Sequence, residues 1–165
     1  MKLKGRAHKF GDSISTDLIT PGRYAKLRSN LPELAKHTLE DADTDFVKKV
    51  KRGDFVVGGK NFGLGSSREH AAIVIKLCGV SAVLAESFAR IFYRNCINVG
   101  LPAIEVDTSS IEAGDELEVD LGKGTVRNLS KKSELKFHSM PSIMTDILKE
   151  GGLVEYIQKN KKLKL

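Results

Sequence analysis

A glycine-rich stretch that leads directly into a helical pattern constrains this chain most. Its glycines are Gly58, Gly59, Gly63 and Gly65. Apolar residues at helical spacing follow over 71–77, and Gly79 supplies a stop signal. Glycine permits positive φ and lets a ligand approach the backbone, while the first turn of a helix carries unpaired N–H groups and partial positive charge. The pattern therefore predicts an anion-binding site at Ser66, Ser67 and Arg68.

A simpler interpretation of the same residues is a helix cap. Ser66 and Glu69 fit the S-x-x-E capping box, in which Ser66 does no more than start the helix. A capping box explains neither the preceding glycines nor an arginine in the first helical turn, where the helix dipole disfavours a cation. Arg68 is better suited to hold a carboxylate or a phosphate through two parallel hydrogen bonds. The anion site is thus the favoured interpretation, and the cap stays open.

Short apolar strands alternate with helices around this stretch. The strands predicted here are 3–10, 55–57, 80–85 and 103–106. A helix is predicted over 88–99, with Ser87 as its N-cap and Gly100 near its end. Apolar strands without strict alternation, joined by helices, indicate parallel pairing through right-handed crossovers. Segment 11–24, which is rich in short polar residues and closed by a Pro-Gly turn, is predicted to be a loop.

The last third of the chain shows a different pattern. Three segments alternate polar and apolar residues, and they predict a smaller antiparallel β region: 116–121, 125–129 and 134–138. Short helices are predicted over 32–39, 45–50, 141–149 and 153–158. The fold class is therefore α/β, with a partly parallel sheet and flanking helices in a single domain, 1–165. Residues 159–165 are predicted to be a frayed basic tail.

Composition excludes several classes of function. The net charge of +6 comes largely from the basic tail, which lacks the interleaved aromatic residues of a nucleic-acid groove. No apolar run is long enough to span a membrane, so a cytoplasmic protein without a membrane partner is expected. Cys78 and Cys96 lie far apart and outside any metal-ligand motif, which predicts small buried side chains rather than ligands. This chain alone is not expected to bind a metal.

Three motifs, in order along nearly the whole chain, resemble the aconitase superfamily. They are Asp12-x-x-x-Thr16-Asp17-x-Ile19-x-Pro21, Gly63-x-Gly65-Ser66-Ser67-Arg68-Glu69-His70-Ala71, and Ser87-Phe88-Ala89-Arg90-Ile91-Phe92-Tyr93-Arg94-Asn95 followed by Asn98-x-Gly100-Leu101-Pro102. The chain length and the Pro21–Tyr24 turn are similar to the separate small subunits of the isopropylmalate isomerase and homoaconitase group. The resemblance implies the swivelling β/β/α domain that closes over the active site of a large subunit.

The same resemblance implies a reaction and a partner. Enzymes of this group are hydro-lyases that isomerise a 2-hydroxy acid by dehydrating it and rehydrating the alkene at the neighbouring carbon. Their large subunit carries a four-iron four-sulfur cluster on three cysteines, with one iron open to the substrate. We therefore expect a large catalytic subunit as partner, a small 2-hydroxy acid as substrate, and a cluster that this chain does not ligate.

Residue roles follow from matching motif positions. Ser66 resembles the catalytic base, Arg68 the clamp on a substrate carboxylate, and Ser67 a residue that supports binding by hydrogen bonds. Asp17 resembles an aspartate that reaches across the subunit boundary to order a histidine of the large subunit. Arg28 corresponds to the second substrate arginine of the superfamily if one gap is allowed in the alignment.

Substrate choice is expected to depend on the residues after Tyr24. Lys26 lies near the position where homoaconitase-type chains carry arginine, so it either pairs with a distal carboxylate or extends to solvent along an apolar pocket. The rest of the chain favours 3-isopropylmalate over a tricarboxylate such as homoaconitate or a substituted malate such as dimethylmalate. A noncatalytic anion- or nucleotide-binding module is the alternative from another class, although the stretch lacks both the G-K-[ST] of a P-loop and the third glycine of a dinucleotide fingerprint.

Overall fold

A computed structural model describes residues 1–161, which form one mixed seven-stranded β-sheet with helices packed against it. The strands are β1 (Lys2–Lys9), β2 (Phe55–Val57), β3 (Ala82–Ala85), β4 (Ala103–Glu105), β5 (Glu116–Asp120), β6 (Thr125–Asn128) and β7 (Ser133–Lys136). Their order across the sheet is β4-β3-β2-β1-β5-β6-β7. Neighbours from β1 to β4 are parallel, and the pairs β1–β5, β5–β6 and β6–β7 are antiparallel. The predicted α/β fold with a parallel and an antiparallel half is confirmed.

Strand β1 joins the two halves because its two ends pair with different strands. Lys2–Arg6 pair with β5, and Ala7–Lys9 pair with β2. In the parallel half each strand lies beside the next one in the sequence. Each connection therefore runs from the carboxyl end of one strand back to the amino end of the next. The carboxyl ends of β1, β2 and β3 therefore open on one edge, which is where ligands bind in open α/β sheets.

Seven α-helices and one 3-10 helix connect the strands within residues 1–161. The α-helices are α1 (Thr16–Ile19), α2 (Leu31–Ala35), α3 (Phe46–Lys49), α4 (Glu69–Leu77), α5 (Arg90–Asn98), α6 (Ser142–Glu150) and α7 (Leu153–Asn160). The 3-10 helix, Gly22–Ser29, is called the 22–29 segment below. After α4 the chain passes through Gly79 at φ +90°, as the stop signal predicted. No helix of this described part is long and apolar enough to cross a lipid bilayer.

Apolar side chains cover both faces of the parallel half. On the helical side, Val56 and Val83 belong to the same buried cluster as Ile75 of α4 and Phe92 of α5. The opposite face continues into the antiparallel half through a second buried cluster, which includes Phe55, Val57, Leu84, Ile104, Leu117, Val119 and Val126. Since both faces of β2 and β3 are buried, these strands have continuous apolar runs instead of alternation.

Two local predictions are wrong, and both concern short polar residues. Segment 11–24 is not only a loop, because Ser15 Oγ accepts a hydrogen bond from Leu18 N at 3.1 Å and caps α1. Helix α5 begins at Arg90 without a side-chain cap, and Ser87 is not its N-cap. Ser87 Oγ instead accepts a hydrogen bond from Asn61 N at 2.8 Å and so holds the glycine-rich stretch.

The predicted basic tail begins inside a helix. Lys159 and Asn160 form the last turn of α7, and Lys159 Nζ lies 2.8 Å from a carboxylate oxygen of Glu150. Residues 162–165, the remainder of that predicted tail, lie outside the described residues.

Candidate active site

Three loops meet at the carboxyl edge of the parallel strands. The middle one, residues 58–68, is called the glycine loop below. On one side, Gly63 N donates to Ile14 O at 2.7 Å, in the loop after β1. On the other side, Phe62 N donates to Ser87 O at 3.0 Å, and Ala89 N donates back to Phe62 O at 2.9 Å. Backbone bonds on both sides therefore fix the path of the glycine loop before any ligand binds.

The glycines of this loop make room for protein atoms. A Cβ on Gly63 would lie 2.1 Å from Cγ of Phe92, and a Cβ on Gly59 would lie 1.9 Å from a carboxylate oxygen of Asp12. Gly63 also has a φ of +82°, which disfavours any side chain there. The prediction that these glycines let a ligand approach the backbone is thus wrong at Gly59 and Gly63. Gly63 instead lets the loop pack against the core, and Gly59 lets it pack against the loop after β1.

The two serines follow this packed part of the loop and face solvent. Ser66 and Ser67 are both exposed, and α4 begins only at Glu69. Arg68 occupies the N-cap position with an extended backbone (φ −99°, ψ 101°), and the helix has no side-chain cap. The capping-box interpretation is therefore wrong, because Ser66 lies two residues before the N-cap position of α4. Its side chain is exposed and takes no part in helix initiation.

Arg68 connects the glycine loop to the segment after β1. Its Nη1 donates to Thr20 O at 2.9 Å and lies 3.3 Å from Oδ1 of Asp17. The side chain is only 19% exposed, so the guanidinium is held in place by the protein. Both contacts use Nη1, whereas a guanidinium has five N–H donors in a planar fork. Donors therefore remain to grip a carboxylate bidentately.

Asp17 lies at the same junction in an exposed position. Its Oδ1 accepts a hydrogen bond from Gly22 N at 2.9 Å and also contacts Arg68. The side chain is 67% exposed, and both contacts use the same oxygen. Asp17 thus helps to orient Arg68 within this chain, and its second carboxylate oxygen is available to a partner.

His70, in the first turn of α4, is influenced by the positive charges of Arg28 and Arg68. Burial lowers the pKa of His70 below its usual 6.5, and the positive charges of Arg28 and Arg68 lower it further. Both guanidinium groups therefore act on the same imidazole. Lys26 and Arg28 are on the same 22–29 segment, and both are exposed. Of the predicted site residues, direct contacts join Asp17 and Arg68, and Ser66 and Ser67 are exposed on the same loop as Arg68.

His70 and Thr20 are parts of this site to which the sequence assigned no role. Thr20 is buried, and it offers its backbone oxygen to Arg68. Its role depends on a contact between residues 48 positions apart, for which a single sequence gives no signal. His70 could have been noticed, since it directly follows the Ser-Ser-Arg-Glu motif and falls in the first turn of the helix.

The cysteines do not form a metal site in the structure described here. Cys96 is buried, and burial raises its thiol pKa, so the thiolate that a metal requires is disfavoured. Cys78 is half-buried, and burial raises its pKa as well. Over residues 1–161 no group of three or more His, Cys, Asp or Glu side chains is arranged to hold a metal ion. These residues do not fit an iron–sulfur cluster.

Together these features define an α/β domain that presents a fixed arginine and two exposed serines on a loop at the carboxyl edge of its parallel strands. Comparison with known families agrees with this class. A model of the aconitase C-terminal domain family matches residues 10–109, which include the loop after β1, the glycine loop and α5. The chain belongs to this family.

Known relatives match over the full length of the chain. The 3-isopropylmalate dehydratase small subunit 2 of Archaeoglobus fulgidus is 64% identical over 165 residues, which is 100% of both chains. The 3-isopropylmalate dehydratase small subunit 1 of Thermotoga maritima is 60% identical over 159 residues, or 96% of each chain. A crystal structure of 3-isopropylmalate dehydratase (LeuD) from Methanocaldococcus jannaschii superposes with a TM-score of 0.93 at 50% identity, and covers 98% of this chain and 96% of its own. The resemblance to the aconitase superfamily is thereby confirmed.

Proposed function

We propose that this chain is the small subunit of a 3-isopropylmalate dehydratase, a hydro-lyase of leucine biosynthesis that acts with a large subunit. The observation that carries the proposal is identity of 64% and 60% to two chains named as such small subunits, over 96% or more of every chain compared. The site agrees with this function, because a dicarboxylate substrate requires fixed cations and the site provides Arg68 with Arg28 nearby.

Arg68 is proposed to clamp one substrate carboxylate. Contacts with Thr20 and Asp17 hold its guanidinium in place, so the cost of ordering a long side chain is met before the substrate arrives. Ser67 adds a hydroxyl donor beside it. Asp17, through its second oxygen, orients a histidine of the large subunit.

Ser66 is proposed to remove the proton from the carbon next to the leaving hydroxyl, and its exposure supports the proposal that this step requires a partner. To become an alkoxide near neutral pH, a serine needs a pKa shift of roughly six units, or about 8 kcal/mol. A helix N-terminus supplies up to about 2 kcal/mol, and only when the site is partly buried. Positive charges near the serine would contribute more once water is excluded. Because Ser66 is exposed in this chain, closure against the large subunit has to exclude that water.

The large subunit is proposed to hold the four-iron four-sulfur cluster, since the cysteines of this chain do not fit one. Bound there, the cluster would supply a Lewis acid for the leaving hydroxyl. This division leaves carboxylate binding and proton removal to Arg68 and Ser66. We also propose a cytoplasmic location, because the free thiols of Cys78 and Cys96 suit a reducing compartment.

A tricarboxylate such as homoaconitate is the second candidate substrate. It is favoured by one observation, that Lys26 and Arg28 give the 22–29 segment two exposed basic residues where an apolar substituent would need no charge. The names of the full-length relatives favour 3-isopropylmalate. Lys26→Ala separates the two, because loss of its charge should weaken a tricarboxylate and leave the apolar substituent of isopropylmalate unaffected.

The test is reconstitution with a large subunit. Co-expression with candidate large subunits, anaerobic reconstitution of the cluster and a panel of 2-hydroxy acids should give turnover of 3-isopropylmalate that requires both chains. Turnover can be followed by the ultraviolet absorbance of the unsaturated intermediate. A complex that assembles with its cluster but turns over only a tricarboxylate would reverse the substrate assignment. Thermal stabilisation of this chain by nucleotides, and not by any large subunit, would support a noncatalytic binding module instead.

A further inference from the structure

The 22–29 segment has little structure of its own to hold it in place. It is a 3-10 helix of eight residues, whereas such helices are uncommon beyond three or four. None of its residues is buried, its first turn lacks a side-chain cap, and Tyr24 departs from helical geometry (φ −97°, ψ 18°). Contacts with the rest of the protein must therefore fix its position.

Two of these contacts, from two different residues of the segment, meet at one carboxylate, that of Glu40. Oε1 of Glu40 accepts hydrogen bonds from Tyr24 Oη at 2.5 Å and from Arg23 Nη2 at 2.6 Å. Oε2 lies 2.8 Å from Nδ1 of His37. Arg23 also makes two bonds to the carboxylate of Asp41, at 2.7 and 2.8 Å. Glu40 thus accepts hydrogen bonds from both Arg23 and Tyr24, which lie near the start of the segment.

Ring contacts add to the same anchor. The Tyr24 ring stacks on the imidazole of His37 with centroids 3.8 Å apart and planes 16° apart. The Arg23 guanidinium lies 4.8 Å from the centroid of the Tyr24 ring. Burial alone would raise the pKa of Glu40, but the hydrogen bonds from Tyr24, His37 and Arg23 outweigh burial and lower that pKa. Glu40 therefore stays ionised, and charge-assisted bonds hold the segment.

The first residue of the 22–29 segment, Gly22, lies at the candidate active site. Gly22 N and Arg68 Nη1 share Oδ1 of Asp17, so the segment starts next to Arg68. At its far end, Asn30 N bonds to Leu27 O at 2.8 Å, which fixes the turn around Arg28. Arg28 therefore belongs to a segment that bonds to Asp17 through Gly22 and to Glu40 through Arg23 and Tyr24.

We propose that Glu40 is a positioning residue for substrate binding: through Arg23 and Tyr24 it sets the place of the 22–29 segment, and with it the distance of Arg28 from Arg68. In this proposal Glu40 acts through Arg23 and Tyr24 and not by contact with the substrate. The inference deepens the proposed function and rests on it for the kinetic part of the test. It separates two roles within the segment, since Arg23 and Tyr24 bond to Glu40, whereas Arg28 is exposed and is the residue proposed to bind substrate.

The position of Arg28 can be measured without any turnover. Because the charge of Arg28 lowers the pKa of His70, a segment released from Glu40 should let that pKa rise. We expect Glu40→Gln to raise the pKa of His70, measured by NMR titration of the full chain, in the same direction as Arg28→Gln. Glu33→Gln is the matched control, because Glu33 pairs with Lys36 on the same stretch of chain, at 2.7 Å, and its loss should leave the pKa of His70 unchanged. An unchanged pKa in Glu40→Gln, with a raised one in Arg28→Gln, would overturn the inference.

Kinetics of the complex with the large subunit give the second readout. Misplacement of a binding residue should raise KM for the substrate on the order of tenfold in Glu40→Gln, with kcat changed about twofold or less. Arg23→Met should also raise KM, because it removes the Arg23 bond to Glu40 together with both bonds to Asp41. The double variant should raise KM by less than the product of the two single effects, because the two changes share the Arg23–Glu40 contact. A variant that only lost folded protein would lower apparent kcat at unchanged KM, which would contradict positioning. If the wild-type complex turns over no 2-hydroxy acid, the proposed function fails, and the titration of His70 still decides the inference.

Discussion

Gly63→Ala tests the packing of the glycine loop most sharply. The new Cβ would lie 2.1, 2.4 and 2.5 Å from three atoms of the Phe92 side chain, far inside contact distance. Phe92 is 1% exposed in the main core cluster, so its ring has no solvent to move into. The substitution therefore combines a disfavoured backbone (φ +82°) with an overpacked core.

The two costs can be separated with a second glycine. Gly114 has a similar φ of +87°, but a Cβ there would meet nothing within 4 Å. A left-handed backbone costs an alanine about 1–2 kcal/mol, partly offset by about 0.4–1 kcal/mol through the lower entropy of the unfolded chain. Overpacking adds about 1–3 kcal/mol at Gly63 only. We expect Gly63→Ala to lower the free energy of unfolding by about 2–4 kcal/mol and Gly114→Ala by about 1 kcal/mol or less.

Urea unfolding and thermal melting of both variants give the result. At about 2–4 °C per kcal/mol for a chain of this size, Gly63→Ala should melt about 4–16 °C below the wild type. Gly63→Ala should also lose activity in the two-subunit complex, since the loop that carries Ser66 has to shift. Equal stability of the two alanine variants would refute the argument that the glycine is required by Phe92.

Three further predictions concern charge and assembly. Arg68→Lys, which loses the planar fork and its bond to Thr20, should raise KM by about tenfold or more in steady-state kinetics of the complex, and an unchanged KM would argue against the carboxylate clamp. Because the folded pKa of His70 lies below 6.5, the unfolded chain takes up its proton first as pH falls, and stability is lost from about pH 6.5 downward. His70→Gln should therefore lose less stability than the wild type between about pH 7.5 and about pH 5.5 in urea titrations, and a larger loss would contradict the assigned cause. The purified chain without a large subunit should show no turnover of 3-isopropylmalate, and measurable turnover by the chain alone would contradict the shared active site.

The sequence predicted strands and helices well where one pattern dominates. Phe55–Val57 reads as a strand because both of its faces are buried, and the structure places β2 at those residues. The stop at Gly79 and the two-residue alternation of β5 and β6 are equally local signals. The division of the sheet at β1 was not predicted, because it depends on which partner each end of one strand finds.

Polar residues near helix starts were predicted less well. Ser66 and Ser87 both precede helices and carry the right side chain for a cap, yet neither caps one. The Ser87 hydroxyl accepts a hydrogen bond from Asn61 N, 26 residues away. Tertiary contacts of this kind override the local preference of serine for helix capping. The 22–29 segment was missed for a related reason, since it depends on Glu40, 16 positions from Tyr24.

The site residues were found through motif resemblance, and their arrangement came from the structure. The contact between Asp17 and Arg68 spans 51 positions, and no spacing rule predicts it. The glycines suggested an open path for a ligand, because composition alone does not distinguish room for a ligand from room for Phe92. The roles of Ser66, Ser67, Asp17, Arg28 and Lys26 in the reaction stay predictions.

The most direct test of the central claim compares Ser66→Ala with Ser67→Ala in the complex with the large subunit. Loss of a positioned base typically costs about 10²–10⁴-fold, so Ser66→Ala should lower kcat by at least about a hundredfold while KM and complex assembly stay close to wild type. Ser67→Ala should act mainly on KM, because it removes a binding hydroxyl. Since both side chains are exposed, neither change should affect folding of the chain. A Ser66→Ala complex that retains wild-type kcat would contradict the assignment of this glycine-loop serine as the base.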